Sequence, residues 1–284
     1  MLKTRIVTAL FLLPLVLGSL FLAPPWGWAA FCLVLLGVAS WEWGRLAGLP
    51  QRALWAFVAV LVAAMLGLAI LQTGEREAVR RFAALLAFLL AVCAAFWMLL
   101  VPFWLGKTLR PRYPAATAAA GLVVIVPLFA ALLVLRAAGA WVLLSLALIV
   151  WVADIAAYFA GKRFGRHKLA PKVSPGKTVE GVIGGLLGVM LYYGVWHWLV
   201  LHAPEVERVA ISAYLAPGLM AFVLFVLLAA WSVVGDLFES WIKRCAGVKD
   251  SSRLLPGHGG VLDRIDALMP TLPLAAGFLL LLRS

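Results

Sequence analysis

Apolar runs of span length recur almost from end to end of this 284-residue chain. Nine can be marked, near residues 6–22, 27–44, 53–71, 82–105, 116–135, 140–161, 179–201, 214–242 and 267–282. About twenty apolar residues in a helix cross the hydrocarbon core of a bilayer. A helix also pairs its own backbone N–H and C=O groups where no water can do so. The expected fold is therefore all-α: a polytopic integral membrane protein of about nine transmembrane helices. Composition agrees, with 65% hydrophobic and 13% charged residues against about 25% charged in soluble domains, which excludes a soluble globular domain. The first run follows Lys3 and Arg5 as a signal peptide would, but it is long and lacks a clear small-x-small cleavage site. The eighth exceeds what a bilayer needs, so its last turns should stand out into water or protein.

The few charges are lopsided, 24 Lys plus Arg against 12 Asp plus Glu, a net +12. With nine spans, 18 of the basic residues fall on the side of the N-terminus and 6 on the other. The positive-inside rule then puts the N-terminus and the two long loops, 162–178 and 243–266, in the cytoplasm. Glu75, Glu77, Glu205 and Glu207 fall outside and cancel most of the positive charge there. The three cysteines show no CxxC and no pairable spacing, so neither disulfide framework nor zinc site is indicated. Polarity gathers late in the chain. The expected organisation is one continuous membrane domain, with scaffold helices over 1–135 and a catalytic region over 136–284.

Within the spans, Asp154 stands in the apolar run WVADIAAYFAGKRFG with Tyr158 one turn on. A charge in such a place needs a partner or a hydrated cavity. The loop KRFGRHKLAPKVSPGKTVEG follows. Its GKT is not a nucleotide-binding P-loop, because Pro171 stands where the motif needs Gly and no strand is expected before it. It does suit phosphate: Lys172 and Lys177 supply charge, Ser174 and Thr178 hydroxyls, and Thr178 with Glu180 opens a helix whose N-terminus favours anions.

Residues 231–266 carry most of the chemistry. Ser232, Asp236, Glu239, Ser240 and Lys243 step by three or four, one stripe of a helix. Beyond them come Lys249, Asp250, Ser252 and Arg253, then PGHGG over 256–260, where Gly259 and Gly260 can aim amides at an anion. Asp263 and Asp266 follow at i,i+3 with Arg264 between. Carboxylates among cations near a membrane surface are expected where Mg²⁺ joins a polyphosphate to a protein.

Ser240, Lys243, Arg244, Lys249, Asp250, Pro256, His258, Gly259, Gly260, Asp263, Arg264 and Asp266 stand in an order and spacing that resembles the phosphatidate cytidylyltransferase (CDP-diacylglycerol synthase) signature. SPGKTVEG and GDLFES support the likeness. The resemblance implies an all-helical membrane enzyme, often dimeric, that converts CTP and phosphatidic acid to CDP-diacylglycerol and pyrophosphate. It makes Asp236 and Asp263 metal-site carboxylates, with Asp266 as the third candidate ligand for Mg²⁺, a second cation being left open. Lys243 joins these three as a catalytic residue. Arg244, Lys249, Arg264, Ser240, His258, Gly259 and Gly260 would bind substrate phosphates, together with Lys172, Ser174, Lys177 and Thr178 from the other loop. The implied partners are the two substrates, the bilayer, here a bacterial inner membrane, and a second copy of the chain, with no nucleic acid.

The chemistry is consistent with these residues. The attacking phosphatidate oxygen is already an anion, so no strong general base is required; bringing two polyanions together is the main obstacle. Two rivals fit less well. A CDP-alcohol phosphatidyltransferase motif begins Asp-Gly, and none of the five aspartates precedes Gly. A lipid transporter calls for midplane acids in both halves, and the N-terminal half offers only Glu42, near a span end.

Overall fold

The computed structural model describes residues 2–73, 76–107, 114–202 and 218–281. Glu75, Glu205 and Glu207, counted above as outer acids, lie outside the described residues, as do 214–217 of the eighth run and 282 of the ninth. All nine apolar runs contain helix: α1 (Leu2–Leu22), α2 (Pro25–Leu46), α3 (Gln51–Thr73), α4 (Arg76–Ala95), α6 (Pro114–Ala138), α7 (Ala140–Phe164), α8 (Val179–His202), α9 (Leu219–Cys245) and α11 (Leu268–Leu281). A π-helical turn, Phe96–Leu100, joins α4 to α5 (Val101–Lys107), and a short α10 (Leu262–Ile265) precedes α11. Among the described residues seven helical stretches are long and apolar enough to cross a membrane, and the protein is a multi-pass, predominantly helical one. Leu10–Leu22 and Leu268–Leu281 are shorter apolar stretches; α11, at 1.5 Å per residue, is roughly 21 Å long.

One expectation is corrected. The segment 162–178 is not all loop: β1 (Lys168–Ala170) and β2 (Ser174–Thr178) pair antiparallel, with Lys168 opposite Thr178 and Ala170 opposite Ser174. A strand does precede GKT, but as one arm of a hairpin, and Pro171 still bars the P-loop turn. Strand periodicity is invisible in a five-residue segment holding Pro175 and Gly176.

Helix α6 forms the centre. Two-thirds of its most apolar stretch is buried, against at most 44% in the other spanning helices, and it packs on α2, α3, α4, α7 and α11. The Trp43 indole of α2 donates to the Thr117 carbonyl of α6 at 2.7 Å. Gly121 gives that ring its place, since a Cβ there would lie 2.6 Å from it. The π-helical turn turns Phe96 and Trp97 onto Phe238 of α9, with centroids at 5.6 and 5.4 Å, and Trp104 adds a third ring at 6.0 Å. These rings grip one face of α9 and leave its polar stripe turned elsewhere.

Helices α7 and α8 approach most closely, through Gly181, Gly184, Gly185 and Gly188 against Ala153, Ala156, Ala157 and Ala160. Small residues let membrane helices meet backbone to backbone. A Cβ on Gly185 would stand 3.0 Å from the Ala153 carbonyl. Asp154 lies within α7 beside this contact, and the hairpin joins the end of α7 to the start of α8. Gly185→Leu is expected to lower the thermal midpoint of detergent-purified protein, overpacking costing about 1–3 kcal/mol. Leucine at Ile183, which is 53% exposed, should leave it unchanged. Equal midpoints for both variants would remove the α7–α8 seam as a constraint.

Candidate active site

The polar stripe of α9 forms as its spacing requires. Ser240 donates to Asp236 Oδ1 at 3.2 Å, one turn apart, and Lys243 pairs with Glu239, also one turn back. Two partners come from far away in sequence. Lys177, at the end of the hairpin, lies 2.6 Å from Asp236 Oδ2, and Lys243 Nζ donates to Asp263 Oδ1 at 2.6 Å. Asp236 and Lys243 are two helical turns, about 10 Å, apart along α9. The stripe therefore joins both polar loops.

The loop after α9 closes on itself. Gly257 and Gly259 take φ of 76° and 81°, a region open to Gly at little cost, and Leu255 N donates to the Gly259 carbonyl at 2.8 Å. Asp263 Oδ2 accepts three hydrogen bonds from this loop: Gly260 N at 2.7 Å, Ser251 N at 2.9 Å and Ser251 Oγ at 2.9 Å. Its other oxygen faces Lys243. The N-terminal helices hold the same loop: Thr8 Oγ1 donates to the Pro256 carbonyl at 2.9 Å, and Glu42 accepts from Ser251, Ser252, Val261 and Leu262.

Several groups expected to meet phosphate already have protein partners. The Gly260 amide faces Asp263. Thr178 is buried, and its hydroxyl oxygen accepts from Gly181 N at 3.1 Å, capping α8. Glu180 accepts from Arg166 N and His167 N, which fixes the chain entering the hairpin. Arg244 donates to the Val173 and Val248 carbonyls, both at 3.3 Å, tying the two loops together. By contrast Lys172, Lys249 and Arg264 are exposed, and buried His258 Nδ1 has no hydrogen-bond partner.

Two cavities flank this centre. One, of about 550 Å³, is lined by Asp154, Lys162, Lys168, Ser174, Lys177 and Asp236 at its polar end, and by small and apolar residues of α7, α8 and α9 such as Ala157, Val182 and Val233. The other, about 640 Å³, lies between the end of α2 and the loop after α9, where Arg45, Lys249, Asp250 and Arg253 line it. The first is amphipathic and runs into the helices. The second is walled mainly by charged and hydroxyl side chains, with Leu46, Ala246 and Val248 among them.

Five carboxylates gather between them. Asp236 acts electrostatically on Asp154 and Asp266, and Asp266 and Asp263 both act on Glu239. Against them stand Lys177 and Lys243, with Arg264 at longer range. Burial alone would push Asp263 up, but the Lys243 ammonium and the Gly260 and Ser251 amides outweigh it and hold the carboxyl below its ordinary value. For Asp266, burial and then the Asp236 charge dominate and push the carboxyl up to about 7. Among the described residues no three acids converge on one point as a ready metal site. The group is nonetheless short of positive charge: Glu239 is 1% exposed and its Oε1 lacks any hydrogen-bond donor. Hard carboxylate oxygens in excess over cations fit a divalent ion such as Mg²⁺.

Sequence comparison decides the family. The cytidylyltransferase family model matches residues 3–282. The chain is similar to the phosphatidate cytidylyltransferase of Pseudomonas aeruginosa, 40% identical over 288 residues that cover 98% of this chain and 97% of the relative. It is similar to that of Haemophilus influenzae as well, 36% identical over 294 residues and 98% of each chain. A 129-residue stretch is 43% identical to that of Thermotoga maritima, covering 44% of each. The chain belongs to the cytidylyltransferase family.

In this cytidylyltransferase, sequence reasoning brought Asp236, Ser240, Lys243 and Asp263 together and missed four contributors. Glu239 was visible in the stripe but given no role. Ser252 and Glu42 were likewise visible without a role and Ser251 was not singled out; the fold brings the three together, although a lone acid in an apolar run signals that a partner exists. Lys243→Met is expected to destabilise the cytidylyltransferase by about 3 kcal/mol, because breaking a buried pair strands its partners. Chemical unfolding in detergent measures the loss; an unchanged midpoint would show that Glu239 and Asp263 do not depend on Lys243.

Proposed function

We propose that this cytidylyltransferase transfers CMP from CTP to phosphatidic acid, releasing pyrophosphate and leaving CDP-diacylglycerol in the membrane. The observation that carries the reading is the carboxylate–lysine centre on α9 with an amphipathic cavity on one side and a polar one on the other. The amphipathic cavity suits a phospholipid: its headgroup phosphate meets Lys177 and Ser174, with Lys162 and Lys168 on the same wall, and its stem lies along Ala157 and Val182. The other cavity suits the nucleotide, whose phosphates meet Lys249 and Arg253, with Arg45 across from them.

An oxygen of the phosphatidate phosphate attacks the α-phosphorus of CTP, and the bond from that phosphorus to the β-phosphate bridging oxygen breaks. The nucleophile is already ionised, so the protein need only position it and neutralise charge. Lys177 neutralises the attacking phosphate, and Lys243 with Lys249 and Arg253 the charge that grows toward pyrophosphate. Asp236, Asp263 and Asp266 are the residues to hold Mg²⁺, which when bound supplies Lewis-acid neutralisation of the phosphates. All nine helices span in this reading, with the N-terminus and both polar loops on the cytoplasmic side of a bacterial inner membrane, and the enzyme is a homodimer.

Purified protein given CTP, phosphatidic acid and Mg²⁺ is expected to release pyrophosphate and form CDP-diacylglycerol; failure to form either would sink the reading. Asp263→Asn should abolish turnover with the helical fold retained by circular dichroism, and wild-type activity in that variant would remove Asp263 from the centre. Cysteines placed within 165–176 and 247–260 should label from the cytoplasmic side. Labelling from outside would reverse the topology.

A further inference from the structure

Glu42 is wholly buried at 0% exposure, and none of the described cations forms an ion pair with it. Its carboxylate is instead saturated by four neutral donors, all from residues 251–262. Oε1 accepts from Ser252 Oγ at 2.5 Å and Val261 N at 3.0 Å, and Oε2 from Leu262 N at 2.8 Å and Ser251 Oγ at 3.2 Å. The donors come from the two ends of one loop. Glu42 therefore closes that loop into a ring, more than 200 positions away in sequence.

The ring is shared with Asp263. Ser251 Oγ lies 3.2 Å from Glu42 Oε2 and 2.9 Å from Asp263 Oδ2, so one hydroxyl, with one proton, sits between two carboxylates. Gly260 passes through the same space: a Cβ there would come 2.7 Å from the Glu42 carboxyl carbon, and its N–H points at Asp263 Oδ2. Glu42 thus fixes the donors that hold one oxygen of Asp263, and the other oxygen is left toward Lys243. The same tether sets Lys249 and Arg253 against Arg45, one helical turn beyond Glu42, across the polar cavity.

We propose that Glu42 is a positioning residue for the transfer reaction, acting through Ser251 and the 251–262 backbone to aim Asp263. The proposal rests on the function given above. In Glu42→Gln the amide nitrogen, in either orientation, faces a main-chain N–H where an acceptor stood. Turnover at saturating CTP and phosphatidic acid should fall about 10- to 100-fold, the range for residues that orient a reacting group, with KM for both substrates within about twofold. Amide exchange should quicken in 251–263 and not in α7 or α8. Ser251→Ala should lower turnover less, and the double variant should be no slower than Glu42→Gln, since both changes cut one relay.

A folded Glu42→Gln enzyme with wild-type turnover overturns the proposal, as do fully multiplicative losses in the double variant. If Glu42→Gln does not fold, Ser251→Ala decides: reduced turnover at an unchanged thermal midpoint supports the relay, and wild-type turnover overturns it. Exchange does not require turnover. A wild-type protein inert toward CTP and phosphatidic acid sinks the functional reading, while exchange confined to 251–263 in Glu42→Gln still supports the tether and unchanged exchange overturns it.

Discussion

The Lys243 ammonium, held between Glu239 and Asp263, is the contact on which the polar end of this molecule depends. Neither carboxylate is tolerable alone at its depth: desolvating an ion costs several kcal/mol, and only an opposite charge with good geometry offsets it. Lys243 is only 12% exposed and Asp263 only 4% by side chain. Each member is stable because the others are present. The contact also joins elements that local forces would leave apart, a membrane helix that supplies Glu239 and Lys243 and a loop that supplies Asp263.

Around this contact the protein builds outward in both directions. On the loop side, Asp263 gives its second oxygen to Ser251 and Gly260, and Glu42 takes the neighbouring amides, so the N–H groups of Ser251, Gly260, Val261 and Leu262 are paired with two carboxylates. On the helix side, the aromatic cluster at Phe238 fixes the rotation of α9, and the Gly/Ala seam between α7 and α8 brings Lys177 to Asp236. A one-residue rotation of α9, about 100°, would turn Asp236 and Lys243 away from both partners. Apolar packing therefore decides where the charges meet.

How much of this was legible follows from the range of the interactions. All nine apolar runs contain helix because the signal, about twenty apolar residues, is local and the penalty for an unpaired backbone in lipid is large. The α9 stripe was legible for the same reason, since i,i+4 spacing alone places Asp236 with Ser240 and Glu239 with Lys243. The hairpin over 168–178 was not: Pro and Gly mask its alternation, and its pairing is set by the helices it joins. Nor could spacing match Lys177 to Asp236 or Glu42 to Ser252, pairs made by tertiary packing. The scaffold assigned to residues 1–135 accordingly contributes to the site, through Thr8, Glu42 and Arg45.

The excess of positive charge takes on a different meaning in the folded chain. Read along the sequence, the basic residues of the two loops look equally ready for phosphate. In the structure they separate: Lys177 and Lys243 neutralise carboxylates, Arg244 ties main-chain carbonyls, and Lys172, Lys249, Arg253 and Arg264 remain exposed. An arriving triphosphate meets the exposed group first, through charges that solvent screens. It reaches the two lysines only by competing with Asp236, Glu239 and Asp263. In the reaction proposed above that competition is offset when the carboxylates receive a cation in exchange, so the same acids that hold the loop in place are the reason the proposal includes Mg²⁺.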